Sequence, residues 1–257
     1  MSEPDFLAAI RTSYDTVAAD YVRTVVPPTG MDSLSQAMLA AFAELVRGAG
    51  VGGPAGAGVG AGVGGRPGAG VGVGVGGPAG VGVGTSVGSG AGAPVGPVAD
   101  LGCGPGRVTA HLAALGVPAF GVDISGEMIA LARRAYPELR FLQGTMTDLD
   151  LPDGALGGIL AWYSVHHTPP ELLPALFAGF HRVLAPGGHL LLGGHVGDEH
   201  LRPVSGYGHP VTYSSYLVPA GRLVELLTGA GFTVTTRLEH LRPECPGRGY
   251  VSLLAHR

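Results

Sequence analysis

From residue 97 onward the chain alternates short apolar runs with stretches of helical period, and that alternation leaves few architectures open to it. Residues 97–101, 119–123, 139–143, 156–163 and 189–192 read as strands. Residues 108–115, a stretch capped by Ser125 and ended before Pro137, residues 170–184 and residues 219–230 read as helices. Strands taken in turn with helices build a mostly parallel sheet with helices on both faces. Residues 232–241 and 250–255 are two further strands with no helix between them, which makes them an antiparallel hairpin at one edge. The expected fold is a single α/β domain around a seven-stranded sheet, six strands roughly parallel and the last antiparallel.

Upstream, Phe6, Leu7, Ile10, Tyr14, Val17 and Tyr21 recur three and four residues apart, and so do Leu34, Met38, Phe42 and Leu45. Both sets predict helices. Asp32 or Ser33 can cap the second and Gly48 can end it, with Pro27-Pro28-Thr29-Gly30 between the two. Residues 48–96, a stretch of 49, then hold 23 of the 47 glycines in the chain. Gly loses the most backbone entropy on ordering, and Val and Ala alone offer too little apolar surface to offset that. A disordered, low-complexity insertion is expected; composition also permits an elastin-like or self-associating segment. Residues 67–99 carry no charge, yet 17 of these 33 residues are Gly or Pro, which does not describe a membrane-spanning helix.

A net charge of −4, with no basic run beyond Arg133-Arg134, excludes a nucleic-acid binder that works by bulk positive charge. Cys103 and Cys245 are the only cysteines, too few for a disulfide framework. The first five residues are acidic and lack the basic and apolar regions of a signal peptide, so a soluble cytoplasmic protein is expected, with no nucleic-acid or membrane partner. All 15 basic residues are Arg, and Lys and Asn are absent, which is the usage of a GC-rich bacterial genome.

The chemistry concentrates in Asp100-Leu101-Gly102-Cys103-Gly104-Pro105-Gly106, between an apolar strand and a helix. Glycines there let the backbone turn tightly and approach a ligand, and the following helix presents free N–H groups. Dinucleotide folds use the spacing G-x-G-x-x-G; here the third Gly comes one residue early and Arg107 stands in its place. Asp123, ending the next strand 21 residues after Gly102, can accept both hydroxyls of a ribose. Its alternative role is a helix cap, for which Ser125 is better placed.

Together with Gly121-Val122-Asp123-Ile124-Ser125 and Leu184-Ala185-Pro186-Gly187-Gly188, this turn resembles the class I S-adenosylmethionine-dependent methyltransferases. The closest likeness is to the small-molecule type that includes the ubiquinone-biosynthesis methyltransferases. It extends from about Tyr14 to the C-terminus, the Gly-rich insertion apart. The resemblance implies a Rossmann-like core over residues 97–257 and a lid made of two N-terminal helices in residues 1–47. It implies S-adenosylmethionine as cofactor, with the turn from Asp100 through Gly102, Cys103, Gly104 and Gly106 against its methionine part. Asp123 would hold the ribose, Ile124 the adenine, and Thr145 and Met146 would flank the adenine, with Asp148 able to reach its amino group. Trp162 and Tyr163 would wall the methyl-donating sulfur. Tyr14 and Tyr21 resemble residues of the lid helix, ordinary core packing being their alternative. Family members often carry Asp where Thr145 stands and in the segment from Gly154 to Gly158, where this chain has none.

His166 and His167 follow the fourth strand, where an acceptor would approach, and are candidate general bases; their alternative is to hydrogen-bond backbone and cap the next turn. Tyr163, His167, Tyr207, His209 and Tyr213 are candidate acceptor contacts. His195, Asp198, Glu199 and His200 are close in sequence, but their spacing matches neither a zinc helix nor a finger, and a solvated loop without metal is expected. The reading is methyl transfer to a small molecule by a monomer or homodimer. A non-catalytic scaffold on the same fold is the alternative, and Arg107 and Asp100 disfavour a NAD-dependent oxidoreductase.

Overall fold

The computed structural model of the chain describes residues 4–48, 96–242, 244–245 and 247–257. The insertion expected over residues 48–96 lies, apart from its end glycines, outside these residues. Two helices come first, α1 (Asp5–Thr24) and α2 (Ser33–Gly48). There follow β1 (Val98–Leu101), α3 (Arg107–Ala114), β2 (Ala119–Asp123), α4 (Gly126–Ala135), β3 (Arg140–Gln143), β4 (Leu156–Trp162), α5 (Leu173–Val183) and β5 (Leu184–Val196). Two ribbons, β6 (Glu199–Leu201) with β9 (Ser215–Leu217) and β7 (Ser205–Gly206) with β8 (His209–Pro210), precede α6 (Ala220–Gly229). The strands β10 (Thr233–Leu241) and β11 (Gly249–His256) come last.

The main sheet has the order β10-β11-β5-β4-β1-β2-β3. Strands β1 to β5 pair in parallel, and β11 runs antiparallel to both β5 and β10. Six strands therefore share one direction and β11 alone opposes them. The order reverses between β1 and β4, and the loops that leave the carboxyl ends of these strands open a crevice there.

One face of the sheet packs on α5 and α6 through Leu176, Phe177, Phe180, Val183, Leu223 and Leu227, all buried. The other face is covered by α3 and, contrary to the sequence expectation of a lid, by α2. Met38, Leu39, Phe42 and Val46 of α2 are buried with Val98, Leu160, Leu191 and Leu254 of the sheet. The buried stripe of α2 is thus offset from the one read from spacing, and Leu34 and Leu45 face outward. Only α1 remains free to cover the crevice. Ser125 caps α4 as expected, its Oγ accepting from Met128 N at 3.1 Å.

Strand β5 is longer than its apolar run predicts and continues through His195 to Val196, because β11 pairs with it up to Gly249–Val196. Its register against β4 shifts between Leu184 and His189, where the Pro186-Gly187-Gly188 turn interrupts the pairing. Among the described residues no helix is long and apolar enough to cross a membrane.

Candidate active site

Helix α1 lies across the carboxyl ends of the strands and is fastened along its length. Asp15 Oδ1 accepts from Ser125 Oγ at 2.6 Å and Glu127 N at 3.2 Å, so a side chain of α1 caps the N-terminus of α4. At the far end, Arg107 donates to the Val22 carbonyl at 2.5 Å and to that of Val25, which satisfies carbonyls left open at the end of α1. Thr212 N donates to Ser13 Oγ at 3.0 Å, and His209 Nε2 is 2.7 Å from Asp20 Oδ2. His209, expected near an acceptor, is therefore held at the outer edge of α1 and lines neither cavity described below.

Beneath α1, Gly102, Gly104 and Gly106 all have positive φ. At Gly106 a Cβ would meet the Phe141 ring at 2.6 Å, so this glycine lets the start of α3 close onto the ring and does not face a ligand. The carboxylate of Asp123 accepts from Gly104 N at 2.8 Å and Ser125 N at 2.9 Å, which ties the end of β2 to the Gly turn. Asp100 is fully buried and accepts from Thr109 Oγ1 at 2.6 Å. Burial pushes the Asp100 carboxyl up to about 7 and that of Asp123 up to about 6.

Two cavities meet at this point. The smaller, about 90 Å³, runs under α1 and is lined by Leu7, Ile10, Gly102, Gly104, Asp123, Ile124, Thr145 and Met146, among others. The larger, about 830 Å³, opens outward between the end of α1, the Gly turn and the β6–β9 ribbon. Tyr14, Tyr21, Gly102, Trp162, Tyr163 and His167 line both. Asp100, Cys103, Tyr207 and Tyr213 line the larger cavity. Asp148 is exposed and lines neither. Thr145 is bound locally, its Oγ1 2.8 Å from Thr147 Oγ1.

At the junction, Tyr14 Oη is 2.8 Å from His167 Nε2, and His167 Nδ1 is 2.8 Å from the Ser214 carbonyl oxygen. A carbonyl only accepts, so Nδ1 carries the proton, Nε2 accepts, and the Tyr14 hydroxyl donates. Burial brings His167 down to about 4 and also lowers His166. Both nitrogens of His167 are thus engaged, and the ring is neutral. His166 Nδ1 and Trp162 Nε1 are enclosed with no hydrogen-bond partner among the described residues. Burial raises the Tyr14 hydroxyl well above its ordinary range. Tyr213 stacks on Tyr14 with ring centroids 5.5 Å apart, and Tyr207 packs on Tyr21 at 5.0 Å.

The spacing of charges and rings gave no sign of the Asp15 cap, the Arg107 clasp or the Tyr14–His167 pair, since each joins residues remote in sequence. His200 and Glu199, weighed with His195 for a metal, turn to other partners: His200 to Ser214 Oγ at 3.0 Å and Glu199 to Arg248. Among the described residues no three His, Cys, Asp or Glu side chains gather as a metal site.

Residues 98–188 match a family model described as a methyltransferase domain. An uncharacterized methyltransferase of Synechocystis sp. is 34% identical over 91 residues, which are 35% of this chain and 43% of that protein. The chain thus matches less than half of that relative's length. An S-adenosylmethionine-dependent methyltransferase of Methanosarcina mazei superposes with a TM-score of 0.56 at 19% identity, covering 63% of this chain and 92% of that one. The Burkholderia thailandensis 1,6-didemethyltoxoflavin-N1-methyltransferase, solved with 1,6-didemethyltoxoflavin and S-adenosylhomocysteine, superposes with a TM-score of 0.50 at 25% identity. That match covers 63% of this chain and 72% of the other.

Proposed function

We propose that the chain carries a class I S-adenosylmethionine-dependent methyltransferase domain and transfers a methyl group from S-adenosylmethionine to a small-molecule acceptor held in the larger cavity. The observation that carries this reading is the meeting of the Gly102–Gly104 turn, the Asp123 carboxylate and two cavities at the point where the strand order reverses. Bound there, S-adenosylmethionine supplies a methyl carbon on a cationic sulfur, open to in-line displacement.

Each group of the chain then has a defined task. Asp123, fixed by two backbone N–H donors, keeps free lone pairs for ribose hydroxyls. Ile124 and Met146 offer apolar surface to the adenine, and Thr145 borders it. Gly102, Cys103 and Asp100 border the methionine part. Tyr14, Tyr21, Trp162 and Tyr163 wall the junction, exclude water and align the acceptor with the methyl group. His167 acts as a positioning residue that fixes Tyr14. A base works best with a pKa near the working pH, and burial has taken both His166 and His167 below that range. Alignment, not proton abstraction by these histidines, is the main contribution of the site.

Isothermal calorimetry tests the reading. The wild type is expected to bind S-adenosylhomocysteine saturably, and Asp123→Ala to bind it about tenfold or more weakly, the loss of a charged hydrogen-bond acceptor. Saturable binding of NAD with none of S-adenosylhomocysteine would refute it.

A further inference from the structure

The larger cavity is built for a particular chemistry. Its wall is aromatic: Trp162 is buried, its ring centroid lies 5.6 Å from that of Tyr163, and Tyr163 lies 5.1 Å from His195. Its mouth is cationic, with Arg202, Arg242 and Arg248 among the lining residues. Arg248 is held in a two-pronged ion pair with Glu199, at 2.6 and 2.5 Å. Arg242 pairs with Glu244 at 2.7 Å while its guanidinium lies 5.9 Å from the centre of the Tyr250 ring, behind His195. Arg202, next to β6, has no hydrogen-bond or ion-pair partner among the described residues.

Neither Glu199 nor Glu244 lines the cavity. Two carboxylates do, and both are committed. Asp100 lies at the base, held by Thr109, and Asp32 accepts from Leu34 N and Ser35 N at the start of α2. The mouth therefore presents positive charge with one guanidinium unspent, above an aromatic wall whose neighbouring rings meet edge to face, at 76° for both pairs. Guanidinium pairs carboxylate and phosphate through parallel hydrogen bonds, and aromatic walls favour flat rings.

We propose that the acceptor is a planar aromatic molecule bearing an anionic group, its ring on the wall of Trp162, Tyr163 and His195 and its anion against Arg202 and Arg242. The assignment rests on the methyltransferase reading and names the substrate class for that same cavity. It also accounts for the ribbon β6–β9, which the Glu199–Arg248 pair ties to the start of β11 and which carries Arg202 to the mouth.

The test is calorimetry on the full chain saturated with S-adenosylhomocysteine. Each aromatic anion is compared with its neutral twin: salicylate with salicylamide, naphthoate with naphthamide, and phenyl phosphate with phenol. At least one anion is expected to bind about tenfold more tightly than its twin, and the arm in which it does so separates carboxylate from phosphate. In the double variant Arg202→Gln/Arg242→Gln that ratio is expected to fall to about one, with affinity for S-adenosylhomocysteine unchanged. Equal binding of anion and twin, a ratio that survives in the variant, or no binding by any member would overturn the proposal. Wild-type chain that fails to bind S-adenosylhomocysteine would instead bring down the methyltransferase reading on which it rests.

Discussion

At Tyr14 a single hydroxyl group ties the lid to the floor of the crevice. It donates to His167 Nε2, which has no other partner on that nitrogen among the described residues, and His167 in turn donates to the Ser214 carbonyl. Replacing Tyr14 by Phe keeps the ring stacked on Tyr213 and leaves a buried acceptor unsatisfied. Stability is expected to fall by about 1–3 kcal/mol, measured by urea unfolding. An unchanged midpoint would show that water replaces the hydroxyl without loss. Backbone strain marks the same region. Tyr163 and Tyr207 have φ of 55° and 53°, and they are the non-glycine residues with positive φ among those described. Both line the larger cavity. Such conformations cost on the order of 1–3 kcal/mol and persist where surrounding packing imposes them, as a ligand site requires.

Among the elements, α1 is distinguished by what holds it. Its buried apolar residues, Leu7, Ile10, Val17 and Ala18, are few beside its polar fastenings to α4, α3 and the segment carrying β8. An element held largely by hydrogen bonds opens more readily than one held by a packed face such as α2. Asp15→Ala removes the acceptor for Ser125 Oγ and Glu127 N, although Ser125 still caps α4. Amide exchange in α1 is expected to quicken by about tenfold, while amides of β1, β4 and β5 keep their protection. Equal acceleration in α1 and in these strands would mean that α1 opens only with the whole fold.

For the molecule as a whole, Asp100 and Asp123 pull the pH dependence one way and His167 pulls it the other. Asp100 and Asp123 have folded pKa values raised to about 7 and about 6. The native state therefore binds protons more tightly than the unfolded chain, and the stability these groups contribute at low pH is lost as pH rises through those values. His167 is lowered to about 4, so its contribution runs the other way and is lost as pH falls below the ordinary histidine value. Asp100→Asn isolates one term, since the amide oxygen can still accept from Thr109. Relative to the wild type, this variant is expected to gain about 2–3 kcal/mol between about pH 5 and about pH 8, read from urea midpoints at both. A difference that does not change with pH would show that Asp100 stays charged throughout.

The sequence by itself determined the alternation of strands and helices, the lone antiparallel last strand, and the Gly turn with the resemblance it carries, because these depend on local periodicity and on contiguous motifs. Ser125 as a cap and Asp123 as a strand-end carboxylate were legible for the same reason. The tertiary structure alone decided that α2 covers the sheet while α1 covers the crevice. Both helices are amphipathic, and spacing cannot say which surface receives an apolar stripe. It also decided that β5 runs to Val196, since β11 and not the local composition extends it. The pairing of Tyr14 with His167, 153 residues away, occupies the Nε2 of a candidate base. Burial sets its proton affinity, and burial is a property of the assembled fold.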